Sequence, residues 1–252
     1  TTIDDAGSFY STKLYTGTGS SLATTGVGFQ PDFTWLKNRD VSDFHVLTDA
    51  VRGATKYLIS DATSSETTDT ETLKSFDSDG FTVGTTAEVN TNTEDYVSWN
   101  WKAGTTTGIA GSPSITPTAY SINATAGQSI ITYDGDGSSG ATVPHGLGVA
   151  PKMIIVKATA TTPWTVYHAS NTTAPETDYL VLNTTAATAD NSGRWNDTAP
   201  GTSLFTLGND GTVNDAARSY VAYCFADVQG YSKFGSYTGN GNANGTFVYT
   251  GF

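Results

Sequence analysis

The chain is 252 residues long, enough for one large domain or two of ordinary size. Its 12 Lys and Arg stand against 24 Asp and Glu, a formal charge of −12 that repels phosphate backbones and anionic lipid; no basic stripe is left to bind nucleic acid. A single Cys excludes an intrachain disulfide and a Cys-based zinc site, and no apolar run approaches the ~20 residues of a membrane span.

Charged residues make up only 14% of the chain, and the polar surface is written instead in Thr, Ser, Asn and Gly. Thr suits strands, and Gly and Asn suit turns, so the composition favours extended structure. Aromatic residues, at 12%, bring large buried areas and make a core affordable.

In chain order, the first long signal is "YTGTGSSLATTGVGFQPDFTWLK", Tyr15 to Lys37. It reads as a Gly-rich turn, a Pro, then a strand in which Phe33 and Trp35 share one face. "DAVRGATKYLIS" (Asp49–Ser60) has some helical character, but its later counterpart holds Pro175 and "DYLVLN", so a strand is expected over Lys56–Ile59 after a short turn. "DGFTVG" and "YVSWNW" follow as strands. In the latter, Val97, Trp99 and Trp101 share a face, read as the core side, with small Ser98 opposite.

A Thr/Ser/Gly/Pro-rich stretch, residues 105–126, then reads as a linker with a short strand. After it the pattern returns as "YDGDGSSGATVPHGLGVAPKMIIVK", Tyr133 to Lys157. From Tyr15 to Tyr133 the offset is 118 residues, from Lys37 to Lys157 it is 120, and from Tyr96 to Tyr220 it is 124. Order is kept and the offset drifts slowly, as small loop insertions produce. "GYSKFGSYTGNG" (Gly230–Gly241) begins the pattern a third time and runs on to Phe252, the counterpart of Phe29. The expected fold is therefore all-β: tandem antiparallel β-sandwiches, two copies plus the start of a third. Residues 1–104 form the first, 127–229 the second, and 230–252 the first hairpin of a third or a terminal strand pair, the chain being expected to continue.

Chemistry is sparse. His45, His145 and His168 do not recur between copies and have no metal-ligand spacing. No Ser sits in a nucleophile elbow, and the Glu residues fall in Thr/Asn-rich loops, not as a paired acid motif on one strand. Cys224, within "YVAYCFADV", reads as a buried, inert thiol. Asp134 and Asp136 alternate as calcium ligands do, yet their counterparts are Thr16 and Thr18, then Thr238 and Asn240, so a Gly-rich hairpin turn is the plainer reading. Tyr15, Tyr133 and Tyr237 recur and suit either sugar stacking on an exposed face or cross-strand packing. No catalytic residue and no cofactor is expected.

Two resemblances add to this reading. "FDSDGFTVGTTAEVNTNTEDYVSWNWKAG" (Phe76–Gly104) is similar to the later strands of concanavalin-like and laminin-G-like jelly rolls. "GVGFQPDFTWLKNRD", "VRGATKYL", "HGLGVAPKMIIVK" and "YVAYCFADVQGYSKFGSYTGNG" resemble a repeated domain of marine bacteriophage tail-associated and virion structural proteins, a match that covers nearly the whole chain. The resemblance implies jelly-roll sandwiches on the exterior of a phage particle, in a tail fibre, a spike or a head decoration. It implies other virion proteins as partners. Low charge density and many Gly turns suit packing against further copies of the chain, and a homo-oligomer, with three-fold symmetry, is expected without a sequence signature of its own. The second expectation is a lectin-like module that recognises host surface glycan.

Overall fold

A computed structural model describes residues 3–251 of the chain, so Phe252, the counterpart of Phe29, lies outside the described residues. The first half forms β1 (Tyr10–Thr16), β2 (Leu22–Thr25), β3 (Phe33–Asn38), β4 (Val46–Asp49), β5 (Lys56–Ile59), β6 (Thr67–Thr68), β7 (Leu73–Asp77), β8 (Gly80–Val83) and β9 (Asp95–Trp101), with a helical turn, α1 (Ala87–Asn90), before β9. The second forms β10 (Ala119–Asn123), β11 (Gln128–Asp134), β12 (Ala141–Pro144), β13 (Met153–Ala158), β14 (Thr165–His168), β15 (Asp178–Val181), β16 (Ala189–Asp190), β17 (Leu204–Leu207) and β18 (Ser219–Phe225), with α2 (Ser192–Trp195) before β17. All strand pairs are antiparallel, and the architecture is all-β sandwich.

One strand order is written twice. The large sheet of the first half runs β1-β9-β3-β4-β5-β6, and that of the second runs β11-β18-β13-β14-β15-β16, with β10 added outside β11. The small sheets are β2-β8-β7 and β12-β17. Register agrees as well: Tyr15 faces Tyr96 and Phe33 faces Trp101, as Tyr133 faces Tyr220 and Met153 faces Phe225.

The same side chains lock the same turns. Asn90 Oδ1 accepts from Thr18 N–H at 2.8 Å, and its Nδ2 donates to the carbonyls of Ser20 and Gly84, both at 2.5 Å. Asn214 accepts from Asp136 N–H at 2.8 Å and donates to Ser138 and Gly208 carbonyls at 3.0 and 3.1 Å. Gly17 and Gly135 sit where a Cβ would lie 2.1 Å from Thr91 O and 2.4 Å from Asp215 O, so no larger residue fits either turn. The lysine that closes each strand also recurs. Lys37 Nζ donates to Asn38 and Val41 carbonyls at 2.6 and 2.9 Å, and Lys157 Nζ to Ala158 and Ala160 carbonyls at 2.7 Å each.

The packing makes four layers with three cores. Leu36, Val46, Phe81 and Val83 fill the space between the first small and large sheets. Ile131, Val143, Val156 and Phe205 do so in the second half. Between them the two large sheets meet back to back, burying Phe33, Leu47 and Leu58 against Ile155, Val166, Val221 and Tyr223. We call this central contact the seam. Each fully buried side chain of this kind contributes roughly 1.5–3 kcal/mol, so the seam is a third core and not a casual contact.

The face of Val97, Trp99 and Trp101, read as the core side, carries Trp101 into the seam and is one of two core faces of β9. Trp101 packs at the seam, while Tyr96 on the opposite face stacks on Tyr15, 5.2 Å between ring centres, inside the first sandwich. Both faces of the central strands are buried, which is why period two could not tell one core from the other.

Residues 105–126 do not behave as a free linker. They supply β10, and before it Ile115 N–H bonds to Thr142 O of β12 at 3.0 Å, with Ile115 in the second core. Past β18 the described residues hold only an isolated bridge, Val228 with Ser232. No further strand forms over the described residues 233–251, where the first hairpin of a third copy or a terminal strand pair was expected over 230–252.

Candidate functional site

The candidate residues drawn from the sequence turn out to be structural or isolated. Tyr15 Oη donates to Val89 O at 2.7 Å and Tyr133 Oη to Val213 O at 2.8 Å. Each stacks on a neighbouring tyrosine inside its own sandwich, and burial raises both phenol pKa values well above the ordinary one. Neither offers a ring to a ligand. Tyr237 is exposed but stands on a segment without strand structure, far from forming a platform with the other two. Asp136 Oδ1 accepts from Ser138 N–H at 2.7 Å and Asn214 Nδ2 at 3.0 Å, closing its own turn, and Asp134 accepts from Ser219 Oγ at 2.5 Å. No group of three metal-binding side chains occurs among the described residues.

The histidines are built into the fold. His45 Nδ1 accepts from Trp35 Nε1 at 3.0 Å. His145 is buried, its Nδ1 accepting from Leu147 N–H at 3.3 Å and its Nε2 lying 3.1 Å from Gly201 O. That arrangement suits the neutral imidazole, and burial pushes its pKa down to about 4. Cys224 is buried, and burial pushes its thiol up to about 12, which keeps it unreactive.

A different place gathers side chains with binding chemistry. At one end of the seam a cleft of about 340 Å³ opens between the two large sheets. One wall is a row across β1, β9 and β3: Tyr10, Trp101 and Phe33, directly opposite one another in register. The Trp101 ring lies 5.1 Å from Tyr10 and 5.0 Å from Phe33, stacked on the latter. The facing wall is the corresponding row across β11, β18 and β13: Gln128, Phe225 and Met153. Trp101 and Phe225 meet across the seam at 6.5 Å.

A third wall comes from the segment after β18. Tyr231 and Phe234 border the cleft, Phe234 lying 6.2 Å from Phe225. Ser232 Oγ to Ala226 O at 2.9 Å and Phe234 N–H to Asp227 Oδ1 at 2.8 Å hold that segment in place. Burial pushes the Tyr231 phenol up to about 12, so it stays a neutral donor. Beyond Trp101 the aromatic surface continues onto Trp35, Trp99 and His45.

One polar group in this cleft is out of place. Gln128 is 2% exposed, and neither its Oε1 nor its Nε2 has a hydrogen-bond partner. Leaving such groups buried and unpaired costs about 1–3 kcal/mol each. Its counterpart in the first half is Tyr10, so the fold accepts an aromatic ring at this register position. A comparison of the two copies of the sequence could have flagged Gln128, since an amide stands there in a row of large apolar groups.

No curated protein and no solved structure matches the chain. A family model does, over residues 5–252, and the chain belongs to the family described as Domain of unknown function (DUF7483).

Proposed function

We propose that this chain is a non-enzymatic attachment module, a rigid β block carried on the outside of a phage particle and engaged in assembly and host contact. The aromatic cleft at the seam carries the reading. It holds a row of rings, a buried amide without a partner, and no carboxylate, imidazole or amine side chain among the residues that line it. A lining of this kind supports binding as its role.

Rigidity comes from polar ties that cross the seam. Arg52 Nε contacts Asp49 Oδ2 at 2.6 Å, and Tyr223 of the second half donates to the same Asp49 oxygen at 2.7 Å. Arg52 also reaches Glu66 at 3.0 Å, and Glu66 N–H bonds to Thr159 O at 2.8 Å. Trp164 Nε1 donates to the carbonyls of Ile59 and Ala62 at 2.8 and 3.2 Å. A module loaded by contact with a host benefits from halves that cannot swing.

The placement on a phage particle rests on the motif resemblance. Immunogold labelling of particles with antibody against the purified chain tests it: label on the particle exterior is expected, and unlabelled particles that contain the chain overturn it. Fluorescently tagged chain added to host cells tests attachment, with surface staining expected.

A further inference from the structure

We infer that the seam cleft takes a pyranose ring of a neutral saccharide, packed on the Tyr10 and Trp101 rings beside Phe225 and hydrogen-bonded by Gln128. The inference rests on the attachment reading and names its ligand.

Three observations narrow the class. First, none of the residues lining the cleft is charged, so an ionic ligand would lose its water and gain no counter-charge. Second, a wholly apolar ligand would leave the Gln128 amide as unsatisfied as it is without one. The ligand must therefore combine an apolar face with adjacent donor and acceptor groups. Third, the cleft presents large flat rings on both walls, Tyr10 and Trp101 on one and Phe225 on the other. A pyranose has C–H bonds on its faces and hydroxyls around its edge. Its faces pack on rings, while a vicinal hydroxyl pair can donate to Oε1 and accept from Nε2 of one carboxamide.

The register argument strengthens the role of Gln128. The equivalent position in the first half is Tyr10, which packs on Trp101 as a ring. The fold has no need of an amide there. Its amide atoms lie in the wall, closed off from water, so a ligand reaches them by rotation of the side chain. Tyr231 and Phe234, held by Ser232 and Asp227, close the third side around a single ring. Exposed Tyr237 lies outside the cleft and takes no part.

The test uses the full chain on an array of neutral, acidic and basic saccharides, followed by titration of the best binder with tryptophan fluorescence as the readout. Binding to neutral saccharides with a change in Trp emission is expected. Gln128→Met should lower affinity at least tenfold while raising the melting temperature, since it removes an unpaired buried amide. Tyr10→Ala, at the cleft rim, should weaken binding without unfolding, and Tyr237→Ala should leave it unchanged. Preference for charged glycans, or Gln128→Met binding as well as the parent, overturns the assignment. If host cells are stained but no neutral saccharide binds, the attachment reading stands and the sugar class falls. If neither occurs, both fall.

Discussion

The two halves share strand order, register and turn locks, yet they fill equivalent inner faces with opposite chemistry. In the first half, Thr34, Ser98 and Asn100 lie buried between the sheets as a hydrogen-bonded group. Thr34 Oγ1 donates to Asn100 Oδ1 at 3.1 Å, and Asn100 Nδ2 donates to Ser98 Oγ at 2.9 Å and Ser11 O at 3.1 Å. In the second half the same register positions hold Ile154, Ala222 and Cys224, all buried in the apolar core. The lesson is that this topology is set by its turns and strand ends, where Asn90 and Asn214 do identical work. The middle of the strand face tolerates any content that is internally satisfied.

The strongest way to break the comparison is at the seam, where, among the described residues, the first half alone supplies an ion pair with both side chains nearly fully buried. Asp49→Ala leaves Arg52 buried without its closest partner and should cost about 3–5 kcal/mol. Disrupting the second half's more exposed pair, Arg194 with Asp210 at 2.6 Å, should cost about 1–3 kcal/mol. Chemical denaturation of the two variants checks the order. Equal losses would mean that the seam pair is no more demanding than this partly exposed one.

Acid should next separate the halves. His145 is neutral when folded, with a pKa of about 4 against 6.5 when free. Between those values the unfolded chain binds the proton and the folded chain does not, so stability falls as pH drops from 6.5 to 4. The loss approaches about 3 kcal/mol. At the equivalent turn the first half uses Asp79, whose carboxylate accepts from Gly26 and Gly28 N–H at 3.0 and 2.7 Å. Those bonds lower its pKa from 3.8, so its contribution persists above that value and is lost only in stronger acid. Thermal melts from pH 7 to pH 3.5, with His145→Gln beside the parent, should show a flatter slope for the variant above pH 4.

Asn90→Ala and Asn214→Ala should each cost about 1–3 kcal/mol, and by similar amounts, because they strip partners from three and four backbone groups respectively. A twofold disparity measured by urea titration would show that the locks are not equivalent. The smallest effect is expected from transplanting the second core into the first. Thr34→Ile, Ser98→Ala and Asn100→Cys together should leave stability within about 1 kcal/mol, since all members of the network go at once. Asn100→Cys alone should be worse than the triple change, because it orphans Thr34.

The fold was legible where turns carry it. Gly17 and Gly135 recur in the sequence because no Cβ fits either turn, and Lys37 and Lys157 recur where each ammonium caps two backbone carbonyls. Strand Lys56–Ile59 was readable despite its helical flavour because its counterpart contains Pro175. The seam was not legible. "MIIVKA" and "YVAYCF" are apolar on both faces, and a run without alternation reveals two buried sides but not their partners. The cleft was missed for the same reason: Tyr10, Trp101, Gln128 and Phe225 come together only when two sheets meet, over separations no local pattern spans. Tyr15 and Tyr133 repeat because each sandwich needs one, whereas Tyr237 has no such packing role.

The seam has a consequence for any attempt to dissect the molecule. A chain severed near residue 104 would present the greasy backs of Phe33, Leu47 and Leu58 on one fragment and of Ile155, Val166 and Val221 on the other. Each fragment would keep its own sandwich but acquire a sticky wall, and would pair with itself or precipitate unless the other were supplied. Co-expression of the pieces, and not either alone, is the route to a soluble dissected form.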